Sequence, residues 1–221
     1  MNIEQEINGF TTVPGLLTPS EQKELIGNLG PVIGAGRRGL MSIPSVVSLI
    51  QSPRIINIVR PYLGFKPTPI RTIYFDKSPE SNWLVSWHQD LTIAVKEKKE
   101  IQGFGPWSEK DGIPHVQPPE ELLRQILTIR IHLDDTNETN GALRVIPGSH
   151  KFGRLSPEEI QRVRTENPEH LCSALAGDAM LMRPLLLHAS GKSTSQNHRR
   201  ILHVEYAGFE LPSGLCWHES A

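Results

Sequence analysis

The stretch that decides the fold is LTIRIHL, residues Leu127 to Leu133, in which apolar and polar residues alternate strictly. Successive side chains of a β-strand point to opposite faces of its sheet, so this strand has one apolar and one polar face. A sheet with one face in water also alternates, but arginine and histidine recur in the polar sets here. We therefore expect the polar face to line a pocket and the apolar face to be covered by helices. The polar sets are Thr128, Arg130 and His132 in this stretch, and Arg199, Ile201, His203 and Glu205 in the similar stretch 199–206.

The first third of the chain is predicted to be helical. Thr18-Pro19-Ser20-Glu21 forms a capping box with proline at the first helical position, which predicts a helix to about Asn28. The apolar residues of 45–63 predict one or two further short helices, broken near Pro53. A second capping box, Ser156-Pro157-Glu158-Glu159, predicts one more helix later in the chain.

Short strands dominate the rest of the sequence. Runs of β-branched and aromatic residues bounded by turn residues predict seven of them. A strand-rich chain with helices outside one sheet predicts a mainly β protein with flanking helices: a double-stranded β-helix (jelly roll, cupin-like) with the N-terminal helices packed on one sheet. We expect one domain over residues 1–221, with a helical part to about 65 and a β-helix core of about 66–210. The predicted strands are 70–75, 84–87, 127–133, 142–146, 179–182, 185–188 and 200–207.

Two insertions interrupt the predicted strands. Residues 92–119 contain the charge run KEKKE at 96–100, followed by the aromatic residues Phe104 and Trp107 among glycines. We expect a long structureless loop here, either an active-site lid or a solvated surface excursion. The second insertion, 189–198, is predicted to be a polar turn.

Composition excludes several classes of function. The hydrophobic content of 38% and charged content of 21% are ordinary for a soluble globular protein. The net charge of -1 gives no reason to expect a nucleic-acid or membrane partner. The acidic start is unlike a signal peptide, and Cys172 and Cys216 lack metal-type spacing. We expect a cytoplasmic protein with a small-molecule substrate, although a single disulfide is left open.

The tripeptide His88-Gln89-Asp90 suggests a metal site. Residues two apart on a strand share a face, so an imidazole and a carboxylate can bind one ion. With His188 they make a set of two histidines and one carboxylate, which suits non-haem Fe(II) with open positions. Arg199 supplies a planar fork for the carboxylate of an acidic co-substrate. From these residues alone, a buried His88–Asp90 ion pair and a role for Arg200 in place of Arg199 stay open. Four other histidines compete with His188: His132, His150, His170 and His203.

The motifs together resemble the phytanoyl-CoA dioxygenase family. The resemblance rests on 76–90 around the tripeptide, on 133–150 with its NGALRVIPGSH ending, on His188-Ala189-Ser190 and on Arg199, which fall in order over about residues 70–207. Members of this family are Fe(II)- and 2-oxoglutarate-dependent oxygenases on a double-stranded β-helix. The resemblance implies Fe(II), 2-oxoglutarate and O₂ as the reactants that accompany the substrate.

Residue by residue, the resemblance implies that His88, Asp90 and His188 bind the iron. It implies that Arg199 pairs with the distal carboxylate of 2-oxoglutarate, with Ser190 nearby as a hydroxyl donor. One departure is Arg130, where many relatives carry an aromatic residue; this cation is expected to add a second anion contact or to reach the substrate. Asp90 argues against the halogenating relatives, in which a small residue stands at this position.

The predicted reaction is hydroxylation of a C–H bond of a small organic substrate, with release of succinate and CO₂. Candidate substrate contacts are Arg37 and Arg71, against a role as surface charges, and Trp87 and Trp107, against a role in packing. Two other classes of function stay open. One is a cupin-like metal-dependent isomerase or hydrolase that does not use 2-oxoglutarate, and the other is a catalytically silent small-molecule-binding protein.

Overall fold

Two antiparallel sheets form the body of the protein. The computed structural model describes residues 3–64 and 66–220; Met1 and Asn2 at the acidic start, Phe65 and Ala221 lie outside the described residues. The strands are β1 (Phe10–Val13), β2 (Gly36–Arg38), β3 (Thr68–Lys77), β4 (Val85–His88), β5 (Ile93–Ala94), β6 (Trp107–Lys110), β7 (Ile113–Val116), β8 (Ile126–His132), β9 (Leu143–Val145), β10 (His170–Cys172), β11 (Ala179–Met182), β12 (His188–Ser190) and β13 (Arg199–Ala207).

The six-stranded major sheet has the order β1-β11-β8-β13-β3-β2, and the four-stranded minor sheet has the order β10-β9-β12-β4. Apart from β2–β3 and β9–β10, neighbours in each sheet are not consecutive along the chain, which is the crossover pattern of a jelly roll. The prediction of a mainly β, double-stranded β-helix with flanking helices is therefore confirmed. The helices are α1 (Ile3–Asn8), α2 (Pro19–Leu29), α3 (Pro44–Ile50), α4 (Pro53–Leu63), α5 (Glu120–Leu123) and α6 (Pro157–Glu166).

The predicted helix starts follow from their caps. Thr18 and Ser156 both close complete capping boxes, with the side chains of Glu21 and Glu159 returning to the cap backbone. Pro53 begins α4 directly after α3 has ended at Ile50, so the predicted break lies where proline cannot continue a helix. Among the described residues, none of the helices has the length and apolar character needed to span a bilayer.

Helices α2, α3 and α4 cover the outer face of the major sheet, as the alternation predicts. Ile129 and Ile131 of β8 and Val204 of β13 are completely buried there, against Ile50 and Ile55 of the helices. The hydroxyl of Tyr206 donates a hydrogen bond to the Ile50 carbonyl at 2.7 Å and fastens the helical layer to the sheet. The inner face of the same strands is consequently free to carry polar residues.

The space between the two sheets has an apolar and a polar part. Leu143 and Val145 of β9 and Met180 and Met182 of β11 belong to an apolar cluster. Beside it is a cavity of about 100 Å³, which we call the polar pocket, and Leu143 borders both. Its lining residues are Arg71, Ile73, Phe75, Trp83, Val85, His88, Asp90, Arg130, Leu143, His188, Ser190, Arg199 and His203.

The expectation of a structureless loop at 92–119 is wrong. This insertion contains β5, β6 and β7, which form a three-stranded sheet in the order β5-β7-β6. Ile93, Val95 and Val116 are buried in a second apolar cluster that they share with Trp217. The C-terminal segment fixes the insertion by backbone hydrogen bonds at Lys96–Cys216 and Ala94–His218, of 3.0 and 3.1 Å. Whether the insertion moves as a lid stays a prediction.

Two further expectations differ from the structure. Residues 184–186 form a turn closed by the Leu186–Arg183 backbone hydrogen bond at 3.0 Å. The strand begins only at His188 and ends at Ser190, which shortens the predicted polar turn to 191–198. An apolar run such as Leu-Leu-Leu predicts burial but does not distinguish a strand from a buried turn.

Strands β1, β2 and β10 and helices α1 and α5 were not predicted, because their short segments carry no strong periodicity. Cys172 is buried and Cys216 is exposed, and both are free thiols.

Candidate active site

Three side chains from the minor sheet and its edge meet at the base of the polar pocket. His88 ends β4 and His188 begins β12, and the two face each other in the strand register. Asp90 follows β4 directly. Its two carboxylate oxygens lie 3.8 Å from His88 Nε2 and 3.7 Å from His188 Nε2. The three ligand atoms lie within 4.8 Å of one another, a spacing at which one metal ion can bind them all.

Backbone carbonyls set the orientation of both imidazole rings. His88 Nδ1–H donates to the Ser86 carbonyl at 2.9 Å, and His188 Nδ1–H donates to the Leu186 carbonyl at 2.8 Å. A carbonyl only accepts, so both rings carry the proton on Nδ1 and present the Nε2 lone pair to Asp90. Such a carbonyl partner behind a histidine is the usual support of a metal ligand.

Gln89, the middle residue of the tripeptide, supports the site with three side-chain hydrogen bonds to the backbone. Its amide nitrogen donates to the Gly153 carbonyl at 2.8 Å and to the Leu185 carbonyl at 2.7 Å, and its oxygen accepts from the Leu155 backbone at 2.9 Å. Through these bonds it ties the end of β4 to the turn that leads into His188. Sequence analysis gave Gln89 no role, because a buried amide leaves no periodic signal.

Electrostatics keep Asp90 and His188 in the states that metal binding requires. Burial opposes the charge of Asp90, but the fields of His188 and His88, with His203 and Arg71 behind them, outweigh it and hold the pKa of Asp90 below its usual range. Burial lowers the pKa of His188 to about 4, with Asp90 acting in the opposite direction. At neutral pH the carboxylate is ionised and the His188 ring is neutral.

Arg199 lines the same polar pocket, and two of its nitrogen atoms have no partner. It is 3% exposed, and its Nε and Nη1 atoms are buried without a hydrogen-bond partner. Burial, followed by the field of Arg130, lowers the pKa of Arg199 to about 9, so the side chain stays cationic at neutral pH. Its neighbour Arg200 is on the outer face, where it forms a fork on the Asp134 carboxylate at 2.6 and 2.7 Å.

Ser190 lines the polar pocket, but its hydroxyl is already used. It donates to the Gly141 carbonyl at 2.8 Å and accepts from Lys77 Nζ at 3.0 Å. The expected role of Ser190 as a hydroxyl donor to the co-substrate is therefore not supported by the structure. Gly141 has φ +76°, and a Cβ there would meet the Gly191 carbonyl at 2.6 Å and Lys77 Nζ at 2.9 Å, so this turn requires glycine.

Lys77 is a buried cation that sequence analysis missed. It is completely inaccessible, and burial, followed by the fields of Arg199 and Arg130, lowers its pKa to about 7. Its ammonium also lies 5.0 Å from the Trp83 ring. The alternation of β3 contained the signal, because Arg71, Ile73, Phe75 and Lys77 share one strand face.

The candidate substrate contacts separate into one that lines the polar pocket and three that do not. Arg71 lines it and forms a short ion pair with Glu205. Trp87 points to the opposite side of β4, where it packs with Val163 of α6. Trp107 belongs to the apolar cluster of the insertion. Arg37 on β2 donates to the Leu29 carbonyl at 2.7 Å. The structure thus contradicts the pocket positions expected for Trp87, Trp107 and Arg37.

An irregularity in the minor sheet changes which residues of β4 face inward. The pairs His188–His88 and Ser190–Val85 leave an extra residue on β4 between them. Val85 therefore lines the polar pocket, whereas Ser86, which simple alternation places beside His88, is exposed. A bulge of this kind re-aims side chains near functional sites, and sequence alternation does not detect it.

The residues present fit a divalent metal together with an acidic co-substrate. Asp90 lies too far from either Nε2 atom for a hydrogen bond, so the two lone pairs and the carboxylate converge without bonding one another. The buried Nε and Nη1 of Arg199 require an acceptor that the described residues do not provide. Both features are explained if a cation binds between the first three groups and a carboxylate binds to Arg199.

Comparison with known proteins shows that the chain is similar to a dioxygenase and a hydroxylase. In an alignment of 177 positions the chain is 27% identical to a probable alpha-ketoglutarate-dependent hypophosphite dioxygenase of Stutzerimonas stutzeri, covering 74% of this chain and 53% of that protein. The chain is 24% identical to an L-proline trans-4-hydroxylase of Streptomyces griseoviridis, covering 72% of this chain and 61% of the relative. The crystal structure of EctD from S. alaskensis with 2-oxoglutarate and 5-hydroxyectoine superposes with a TM-score of 0.72 at 15% identity, covering 92% of this chain and 73% of that one.

The chain spans about half the length of the curated relatives that it matches. The likeness to EctD confirms the jelly-roll fold. The model of one family, phytanoyl-CoA dioxygenase (PhyH), matches residues 33–201, which is most of the chain and includes both candidate histidines, Asp90 and Arg199. The predicted resemblance is thereby confirmed: this chain belongs to the phytanoyl-CoA dioxygenase (PhyH) family.

Proposed function

We propose that this protein is an Fe(II)- and 2-oxoglutarate-dependent dioxygenase that hydroxylates a C–H bond of a small organic substrate and releases succinate and CO₂. The observation that carries the proposal is the joint presence of the metal-type cluster and the unpartnered Arg199 in one pocket. A buried, unpaired guanidinium in the same pocket as a metal site requires an acidic ligand, and the distal carboxylate of 2-oxoglutarate meets that requirement. We also propose that residues 1–221 act as one domain.

In this proposal His88 and His188 bind Fe(II) through Nε2 and Asp90 binds it through a carboxylate oxygen. Arg199 binds the distal carboxylate of 2-oxoglutarate with its free Nε and Nη1 donors. When bound, iron with 2-oxoglutarate and O₂ supplies the oxidising power for C–H hydroxylation. The remaining contribution belongs to the protein, which binds, orients and shields the reactants.

The residues around the cluster are suited to that contribution. Gln89 and the two carbonyl acceptors fix the ligand side chains before any ion binds, which keeps the reorganisation on binding small. Ile73, Phe75 and Trp83 form apolar walls beside the cluster. Apolar walls limit water at the reacting centre and favour an organic substrate.

The relatives support a small substrate. One is named for action on hypophosphite and another for hydroxylation of L-proline. Within this proposal, phytanoyl-CoA is not the expected substrate, because the family name and the relatives named phytanoyl-CoA dioxygenase describe those proteins and not this pocket.

The test is release of succinate from 2-oxoglutarate by the Fe(II)-loaded protein in oxygenated buffer, measured by NMR, with a panel of small organic acids as substrates. Wild type is expected to release succinate slowly alone and faster with a substrate of the panel. Arg199→Gln should raise the 2-oxoglutarate concentration required, whereas the matched control Arg200→Gln should not. Folded wild type that binds iron but releases no more succinate than Asp90→Ala would contradict the proposal.

A further inference from the structure

Arg130 is a second buried guanidinium of the polar pocket without a carboxylate partner. It is 6% exposed, and its Nε is buried without any hydrogen-bond partner. Among the described residues, no carboxylate lies within 4.0 Å of Arg130 or Arg199, whereas Arg71 and Arg200 each have one. Burial of an unpaired cation is unfavourable, so such a group in a pocket indicates an absent anion.

A chain of hydrogen bonds holds Arg130 in place. Its Nη1 donates to His203 Nδ1 at 3.0 Å. Because Nδ1 accepts, the ring proton of His203 is on Nε2, which faces Glu205 Oε1 at 3.3 Å. Glu205 in turn pairs with Arg71. The chain crosses β8, β13 and β3 and fixes the guanidinium on one side only, and the other side is left free toward the pocket.

The face of Phe75 adds a second constraint, because its ring centroid lies 5.7 Å from the central guanidinium carbon of Arg130. A guanidinium held by a ring and by one directed hydrogen bond loses little further freedom when an anion binds. The arrangement is that of a prepared anion subsite, and the same chain gives Arg130 no negative charge, since His203 is a neutral acceptor.

The charges of the pocket leave Arg130 unbalanced even with the proposed reactants present. Glu205 balances Arg71. Asp90 and one carboxylate of 2-oxoglutarate balance the two charges of Fe(II), and the distal carboxylate balances Arg199. Arg130 is therefore the one cationic side chain lining the pocket, within the described part of the chain, to which these reactants bring no counter-charge.

We propose that Arg130 binds the acidic group of the substrate, which makes the substrate a small organic acid. This inference rests on the proposed function and specifies it. The carboxylate of the substrate lies against the fork of Arg130, and its apolar part lies against Ile73 and Phe75, which line the same pocket. His203 is a positioning residue in this arrangement, because it acts only through Arg130.

The experiment uses the protein loaded anaerobically with Fe(II), with trifluoroacetate as the probe. The 2-oxoglutarate affinity is followed by the visible absorption band, and trifluoroacetate binding by its ¹⁹F line width, with and without saturating 2-oxoglutarate. In Arg130→Gln, the loss of a charged hydrogen-bond donor should weaken trifluoroacetate by about tenfold or more, with little change in 2-oxoglutarate affinity. Arg199→Gln should weaken 2-oxoglutarate binding and leave the trifluoroacetate affinity little changed.

Arg130→Lys provides a second variant that keeps the cation and loses the planar fork. It should bind trifluoroacetate with intermediate affinity, and it keeps the test available if Arg130→Gln does not fold in a thermal melt. Unchanged trifluoroacetate affinity in both variants would overturn the inference. So would a loss of 2-oxoglutarate affinity equal to that of Arg199→Gln, because Arg130 would then belong to the co-substrate. Absence of the visible band in wild type refutes the proposed function instead, and titration without 2-oxoglutarate still reports on Arg130.

Discussion

The two faces of β8 differ in how their buried side chains are satisfied. On the outer face, Leu127, Ile129 and Ile131 are completely buried against the helices and make only apolar contacts of the core cluster. On the inner face, Arg130 and His132 are also buried, but each retains a side-chain nitrogen without a hydrogen-bond partner. Side chains one residue apart on a strand therefore serve two purposes. The outer face supplies stability, and the inner face gives up some stability for a pocket whose unpaired cations are suited to charged ligands.

Neighbouring arginines on β13 repeat this contrast. Arg200, on the outer face, donates three hydrogen bonds to the Asp134 carboxylate, from its backbone nitrogen, Nε and Nη2. Arg199, on the inner face, has two donors without partners. The paired Arg200 contributes to the fold, whereas the unpaired Arg199 leaves donors available for a ligand.

The largest effect is expected on the outer face. Ile129→Ala removes a completely buried side chain and should lower the free energy of unfolding by about 2–5 kcal/mol. Thr128→Val is the matched inner-face control, because it replaces a buried hydroxyl that has no partner, and it should be neutral or stabilising. Urea denaturation of both variants measures the difference. An equal loss in Thr128→Val would remove the distinction between the faces.

The pH dependence of stability should originate from the inner face. Burial, followed by the fields of Arg130 and Arg199, lowers the pKa of His132 to about 3. Between this value and the ordinary histidine value of 6.5, the unfolded state binds the proton and the folded state does not, so stability falls as the pH falls. From pH 7 to pH 5 this one ring should account for about 2 kcal/mol.

His132→Gln should therefore reduce the decline of unfolding free energy between pH 7 and pH 5 by about 2 kcal/mol, while the buried His188 ring keeps its own part of the decline, as measured by urea denaturation at each pH. The outer-face variant Ile129→Ala provides the comparison, since it should lower stability at both pH values by the same amount. A wild-type protein that is equally stable at pH 7 and pH 5 would show that His132 is not buried in its neutral form.

A smaller effect separates the two arginines. Arg200→Gln breaks a partly buried ion pair and should destabilise the ligand-free protein by about 1–2 kcal/mol. Arg199→Gln removes an unpaired buried cation and should leave stability unchanged or raise it. Thermal melts of the two variants without ligands measure the contrast. Destabilisation by Arg199→Gln to the same extent would indicate that Arg199 has a structural partner.

Sequence reasoning succeeded where a local rule decides the outcome. Alternation over Leu127 to Leu133 predicted both faces of β8, and the capping boxes at Thr18 and Ser156 predicted where two helices begin. The metal-type cluster was predicted from three residues, because two of them share one strand end and the motifs of the family supplied the third. Alternation also contained the answer for Trp87, which stands next to His88 and therefore points away from the pocket.

The failures concern features that depend on distant parts of the chain. The bulge that turns Val85 inward depends on pairing with Ser190, more than a hundred residues away. The hydroxyl of Ser190 is used by Gly141 and Lys77, which alternation within one strand does not reveal. The sheet at 92–119 is held by the C-terminal segment, so its local sequence suggested a loop. Such contacts are decided by tertiary packing rather than by propensity.

The central claim is that one pocket binds Fe(II) at His88, Asp90 and His188 and binds 2-oxoglutarate at Arg199. The most direct measurement is an anaerobic titration of the Fe(II)-loaded protein with 2-oxoglutarate, followed by visible absorption, in wild type, Asp90→Ala and Arg199→Gln. Wild type should bind one iron and develop the weak band of the 2-oxoglutarate complex. Asp90→Ala should lose the band, and Arg199→Gln should develop it only at higher 2-oxoglutarate concentration. A folded, iron-loaded wild type without the band would contradict the account.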